Sequence, residues 1–103
     1  MTSVKQVPWD QSSPPSEQEA EARLRQEGYQ VFRWHDVPGS NLPRHRHVYD
    51  ECVWVLQGSM TFGIEDSEYV LKAGDRLYLA RGVPHTTRVP ATEAVTFVVG
   101  QKS

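Results

Sequence analysis

The chain has 103 residues, enough for one domain with one modest core and too few for two. Its 11 basic and 13 acidic residues give a net charge of -2, so there is no excess of positive charge to track a phosphate backbone, and nucleic acid is not an expected partner. The one cysteine cannot close an internal disulfide, and the opening residues lack the apolar run of a signal peptide or membrane helix, so a cytoplasmic protein without membrane attachment is expected.

Residues 1–15 hold Pro8, Pro14 and Pro15 among Ser, Gln and Asp. Such a stretch buries too little apolar surface to order alone and predicts a flexible arm, with one domain over 16–103. Ser16 stands three residues before Glu19, the reciprocal capping pattern, and Ala20 and Leu24 fall one turn apart before Gly28, which can adopt the left-handed conformation that ends a helix. A short N-terminal helix over about 17–27 follows from this pattern. Glu19 with Arg23 and Glu21 with Arg25 sit four apart in the favourable order. Each pair contributes only about 0.3 kcal/mol, so docking through Leu24 must hold the helix.

From Tyr29 onward the helical period gives way to short β-branched and aromatic runs separated by turn signals. Strands are predicted near 29–36, 43–48, 51–57, 60–65, 68–72, 76–80, 85–89 and 94–100. Turns are predicted at Pro38-Gly39, Gly58-Ser59, Asp66-Ser67, Lys72 to Asp75, Gly82 to Pro84 and Pro90 to Thr92. Short strands with no long helix between them predict an all-β, double-sheet jelly-roll barrel, which manages its edges by closure. The 51–57 strand is apolar on both faces, with Val53 and Val55 on one and Trp54 and Leu56 on the other, and so is expected to pack against a partner sheet or a second subunit.

Three of the four histidines and one glutamate form the chemically informative cluster. Alternation along a strand turns His45 and His47 to one face, a slightly kinked chain brings Glu51 there too, and His85 arrives from a distant strand behind Gly82 and Pro84. Three nitrogen donors and one oxygen donor suit a divalent transition metal, whether Mn, Fe, Co, Ni, Cu or Zn, whereas an oxygen-only shell would suggest Mg or Ca. Octahedral coordination would leave two positions for water, substrate or dioxygen. Tyr49 shares the parity of these residues and either offers a hydroxyl to the pocket or faces solvent. His35 is expected on the surface, and Cys52, next to Glu51, on the opposite face as a packing residue. Arg44, Arg46, Arg81 and Arg88 fall near the barrel mouth by sequence, where a guanidinium can hold a carboxylate, although most are expected to be solvated.

The spacing resembles the cupin superfamily. Its first motif, G-x5-H-x-H-x3-E-x6-G, is matched by Gly39, His45, His47, Glu51 and Gly58, with every fixed position filled. Its second, G-x5-P-x-G-x2-H-x3-N, is matched by Gly74, Gly82 and His85, while Ala80 replaces the proline and Val89 the asparagine. The fifteen residues between Gly58 and Gly74 suit the short linker of small microbial members. The resemblance covers roughly Tyr29 to Gly100 and implies a conserved double-stranded β-helix barrel, a metal ion on His45, His47, Glu51 and His85, and a homodimer. It also implies a metal-dependent enzyme of dioxygenase, decarboxylase or isomerase type acting on a small oxygenated molecule, with Glu51 as a base if it loosens from the metal and Tyr49 as a conditional proton donor. The alternative is a non-catalytic metal or small-molecule binding or sensor module, since so short a chain leaves little material for specificity loops. A metal-free sugar isomerase is the weakest reading, because such a site needs a histidine base without the carboxylate ligand.

Overall fold

The computed structural model describes residues 3–103; Met1 and Thr2, the start of the expected arm, lie outside the described residues. Nine strands and one helix follow one another as β1 (Val4–Val7), α1 (Glu17–Gln26), β2 (Gln30–Asp36), β3 (Asn41–His45), β4 (Asp50–Gln57), β5 (Ser59–Ile64), β6 (Ser67–Lys72), β7 (Arg76–Leu79), β8 (His85–Arg88) and β9 (Val95–Lys102). They form a five-stranded sheet in the order β1-β7-β4-β9-β2 and a four-stranded sheet in the order β3-β8-β5-β6. The strand pairings are antiparallel. The two sheets face each other as a double-stranded β-helix, the jelly roll predicted from the run of short strands.

Period-two alternation divides the larger sheet into two faces. One face meets the smaller sheet, and Val53, Val55, Leu77, Val95 and Phe97 pack there with Met60, Phe62, Ile64 and Leu71 in the barrel core. The other face carries Cys52, Trp54 and Val98, covered by Ala20 and Leu24 of α1 and by Trp9. The second apolar face of β4 is therefore covered by the chain's own helix and N-terminal segment, not by a second sheet or subunit. Cys52 lies fully buried there, and burial pushes its thiol up to about 12, which suits packing and not nucleophilic chemistry.

The helix begins as its capping pattern predicts. The Ser16 hydroxyl accepts from the Glu19 N–H at 3.1 Å, and the Glu19 carboxylate accepts from the Ser16 N–H at 3.2 Å. Because Glu19 is used in this way, only the Arg25–Glu21 pair forms, at 3.3 Å. Gly28 follows the cap with φ 95°, the left-handed region that glycine enters without strain.

Part of the expected arm folds against the barrel, as suits a stretch that cannot order alone. Val4–Val7 pairs with Leu79–Arg76 as an added edge strand, and the Trp9 N–H donates to Asp75 Oδ1 at 2.9 Å. The Trp9 ring packs over Gly74 and meets Trp54 edge-on at 6.1 Å between centroids. A backbone that completes a free sheet edge gains its hydrogen bonds whatever its side chains are. The β5–β6 turn also lies one residue earlier than predicted, at Glu65-Asp66, with Glu65 at φ 53°.

Candidate functional site

The site forms where β3, β4 and β8 approach one end of the barrel. His45 closes β3 and stands directly opposite His85, the first residue of β8. Glu51 lies near the start of β4, on the interior face shared with Val53. His47 does not belong to a strand, as the 43–48 prediction had it. The strand stops at His45, and His47 reaches the same point from the irregular segment 46–49. That segment is tied to the second motif, because the Gly82 N–H donates to the His47 carbonyl at 2.8 Å and the Arg81 N–H donates to Asp50 Oδ1 at 2.9 Å.

The structure brings His45, His47 and His85 together as one group, and Glu51 lies beside His47 and His85 without belonging to that group. One ring nitrogen from each of His45, His47 and His85 lies within 4.8 Å of the other two. A Glu51 oxygen stands 3.6 Å from His47 Nε2, and the other stands 3.9 Å from His85 Nε2. Hydrogen bonding fixes two of the three tautomers. His45 Nδ1 lies 2.8 Å from the Pro43 carbonyl, and His85 Nδ1 lies 2.9 Å from the Val83 carbonyl. A carbonyl only accepts, so both Nδ1 atoms carry a proton, which leaves Nε2 as the nitrogen directed to the site. His47 Nδ1 meets the Tyr49 hydroxyl at 3.0 Å, and Gln101 Nε2 donates to that hydroxyl at 3.2 Å. Tyr49 therefore faces the site and not solvent.

The electrostatics fit a cation at this point. Glu51 is 8% exposed, and no lysine or arginine pairs with it among the described residues. Burial alone pushes its carboxyl up to about 7. Desolvation, joined by the neighbouring imidazoles, lowers the pKa of His47. Desolvation also lowers that of His85, against its bond to the Val83 carbonyl. Burial, together with the Glu51 charge, raises that of Tyr49. Three imidazoles beside a buried carboxyl offer nitrogen and oxygen donors of the kind a divalent transition metal takes.

These groups line a cavity of about 620 Å³, a size typical of small-molecule sites. The predicted arginines are not among its lining residues. Arg81 is held by Asp50 at 3.4 Å and Arg88 by Glu68 at 3.0 Å, while Arg44 and Arg46 are exposed. His35 is exposed and bonds Thr96, as a surface residue would. Sequence reasoning missed Gln101, which register places beside Glu51 across β4 and β9. No spacing rule links two strands fifty residues apart, and only the sheet order reveals that pair.

The cupin domain family model matches residues 32–100. Among solved structures, the chain is similar to a cupin-2 domain protein from Shewanella frigidimarina, with 24% identity over 73% of this chain and 71% of that one and a TM-score of 0.62. It is also similar to the DMSP lyase DddQ from Ruegeria pomeroyi, with 24% identity over 73% of this chain but only 38% of that one, at a TM-score of 0.66. A third similar structure is the polyketide cyclase RemF from Streptomyces resistomycificus, with 22% identity over 72% of this chain and 54% of that one, at a TM-score of 0.65. A comparison with curated protein sequences found no match.

Proposed function

The chain belongs to the cupin domain family, and we propose that it is a metal-dependent enzyme that binds one divalent transition metal ion on His45, His47, Glu51 and His85 and acts on a small oxygenated molecule. The observation that carries this reading is the convergence of the three imidazoles, two with Nδ1 tied to a carbonyl, with the buried Glu51 carboxyl beside His47 and His85. A bound ion would act as a Lewis acid or oxygen-activating centre for the substrate. The protein's own residues have distinct roles. The carbonyls of Pro43 and Val83 orient His45 and His85. The Tyr49 oxygen accepts from Gln101 and, with His47 in the same tautomer, from His47 Nδ1–H. With both lone pairs of its oxygen engaged, Tyr49 turns its own proton toward the cavity as a donor to substrate. Glu51 acts as a base once it loosens from the metal.

A lyase and a cyclase stand among the similar structures, which supports an enzyme over a passive binder. Dioxygenase, decarboxylase and isomerase chemistry belong to the proposal, as does a cytoplasmic homodimer, which sedimentation equilibrium would read as twice the chain mass. The test is turnover of diketones, flavonols, thiols and oxo-acids by protein loaded in turn with Fe, Mn or Ni, alongside elemental analysis of the purified protein. Metal at one per chain with product is expected. Metal with tight ligand binding and no product favours a binding or sensor module instead. His47→Ala should sharply reduce occupancy and abolish the metal-dependent rise in melting temperature; unchanged occupancy in that variant counts against the assignment.

A further inference from the structure

The cavity is divided into zones. Its lining holds one polar cluster, the three histidines with Glu51, Tyr49 and Gln101, and is otherwise mainly apolar apart from Arg33, Asp36 and Thr87. β2 is the edge of the larger sheet and β3 the edge of the smaller, and between them Phe32, Trp34 and Leu42 rim the opening. Register pairs Phe32 with Val99 and Trp34 with Phe97, which puts both aromatic rings on the interior face. Yet Phe32 is 48% exposed, Trp34 56% and Leu42 50%. Three large apolar side chains directed at the cavity and still wet leave apolar surface for a ligand to cover.

Among the described residues that line the cavity, Arg33 is the one lysine or arginine, and its charge is paired. Arg33 belongs to the opposite face of β2, in register with Val98, and its guanidinium is held by Glu17 of α1 at 2.8 Å. The one acidic side chain at the mouth, Asp36, accepts the Trp34 indole N–H at 3.0 Å, which steadies the ring as a wall and occupies its donor. A carboxylate or phosphate on the body of a ligand would lose hydration here and find no cation in exchange.

We propose that the cavity selects an uncharged small molecule with an aromatic or other flat apolar body, which lies between Phe32, Trp34 and Leu42 and presents one pair of adjacent oxygens to the histidine end. This rests on the metal reading above, and the experiment separates the two. Protein loaded with Co²⁺, its metal content measured, is titrated with acetohydroxamate, benzohydroxamate and 4-carboxybenzohydroxamate. These share one chelating head and differ in the body, and each is also titrated against free Co²⁺ to subtract intrinsic affinity. Benzohydroxamate should bind roughly tenfold to a hundredfold more tightly than acetohydroxamate, from the apolar area of its ring. The carboxylated probe should lose most of that gain. Trp34→Ala, and separately Phe32→Ala, should reduce the phenyl preference while leaving acetohydroxamate binding unchanged, which also shows that each variant is folded. A metal-loaded protein that binds acetohydroxamate without phenyl preference, or that binds the carboxylated probe most tightly, keeps the metal reading and overturns this one. Loss of the preference through a second copy seated on the rim, seen as a dimer that Trp34→Ala dissociates, overturns it as well. A protein that takes up no metal overturns both.

Discussion

Glu51→Gln should stabilise the metal-free protein at alkaline pH while weakening metal binding. The glutamate carboxyl rises from its ordinary 4.5 to about 7 because it is buried without a cationic partner. In the metal-free protein the folded state therefore holds this proton more tightly than the unfolded state does. Below pH 4.5 the carboxyl is protonated in both states and costs nothing. As pH climbs from 4.5 to about 7 the unfolded chain ionises first, and folding stability falls. At about 1.4 kcal/mol per pH unit, the full loss is on the order of 3 kcal/mol. Glutamine keeps the shape and never ionises, so the variant should match the parent near pH 4 and exceed it by a few kcal/mol at pH 8. Urea denaturation of chelator-treated protein, followed by tryptophan fluorescence at both pH values, reads the difference. Added metal should reverse the order, since only the carboxylate supplies an anionic ligand. Equal stability at pH 8, or a less stable glutamine variant there, would refute the reasoning.

Tyr49→Phe removes the acceptor opposite His47 Nδ1 and should weaken metal binding by roughly tenfold, in line with other groups that orient metal ligands; calorimetric titration would show it, and an unchanged affinity would deny Tyr49 that role. Leu24→Ala, at a fully buried site between α1 and the larger sheet, should cost about 2–5 kcal/mol of stability. Metal affinity should stay the same, because the cavity lies on the sheet's other face.

The barrel was legible because its signals are local. Strand alternation, the turn glycines and the Ser16–Glu19 cap act over a few residues, and all eight predicted strands are present within small shifts of their ends. The histidine cluster was legible through spacing, although His47 arrives from a bend that Gly82 holds and not by alternation along a strand. What was missed depends on contacts between distant segments. The edge strand Val4–Val7 exists because β7 offers a free edge. The pairing of Arg81 with Asp50 and of Gln101 with Tyr49 follows from sheet order, and the cover on Trp54 from where α1 and Trp9 dock. None of these leaves a periodic trace in the chain.

The central claim is tested most directly by X-ray absorption at the edge of the bound metal, in protein carrying one ion per chain. Three imidazole nitrogens and one carboxylate oxygen from the protein are expected at about 2.0–2.2 Å, the usual range for such ligands, with one nitrogen lost in His85→Ala. A shell built only from oxygen, or a spectrum that His85→Ala leaves unchanged, would contradict the account.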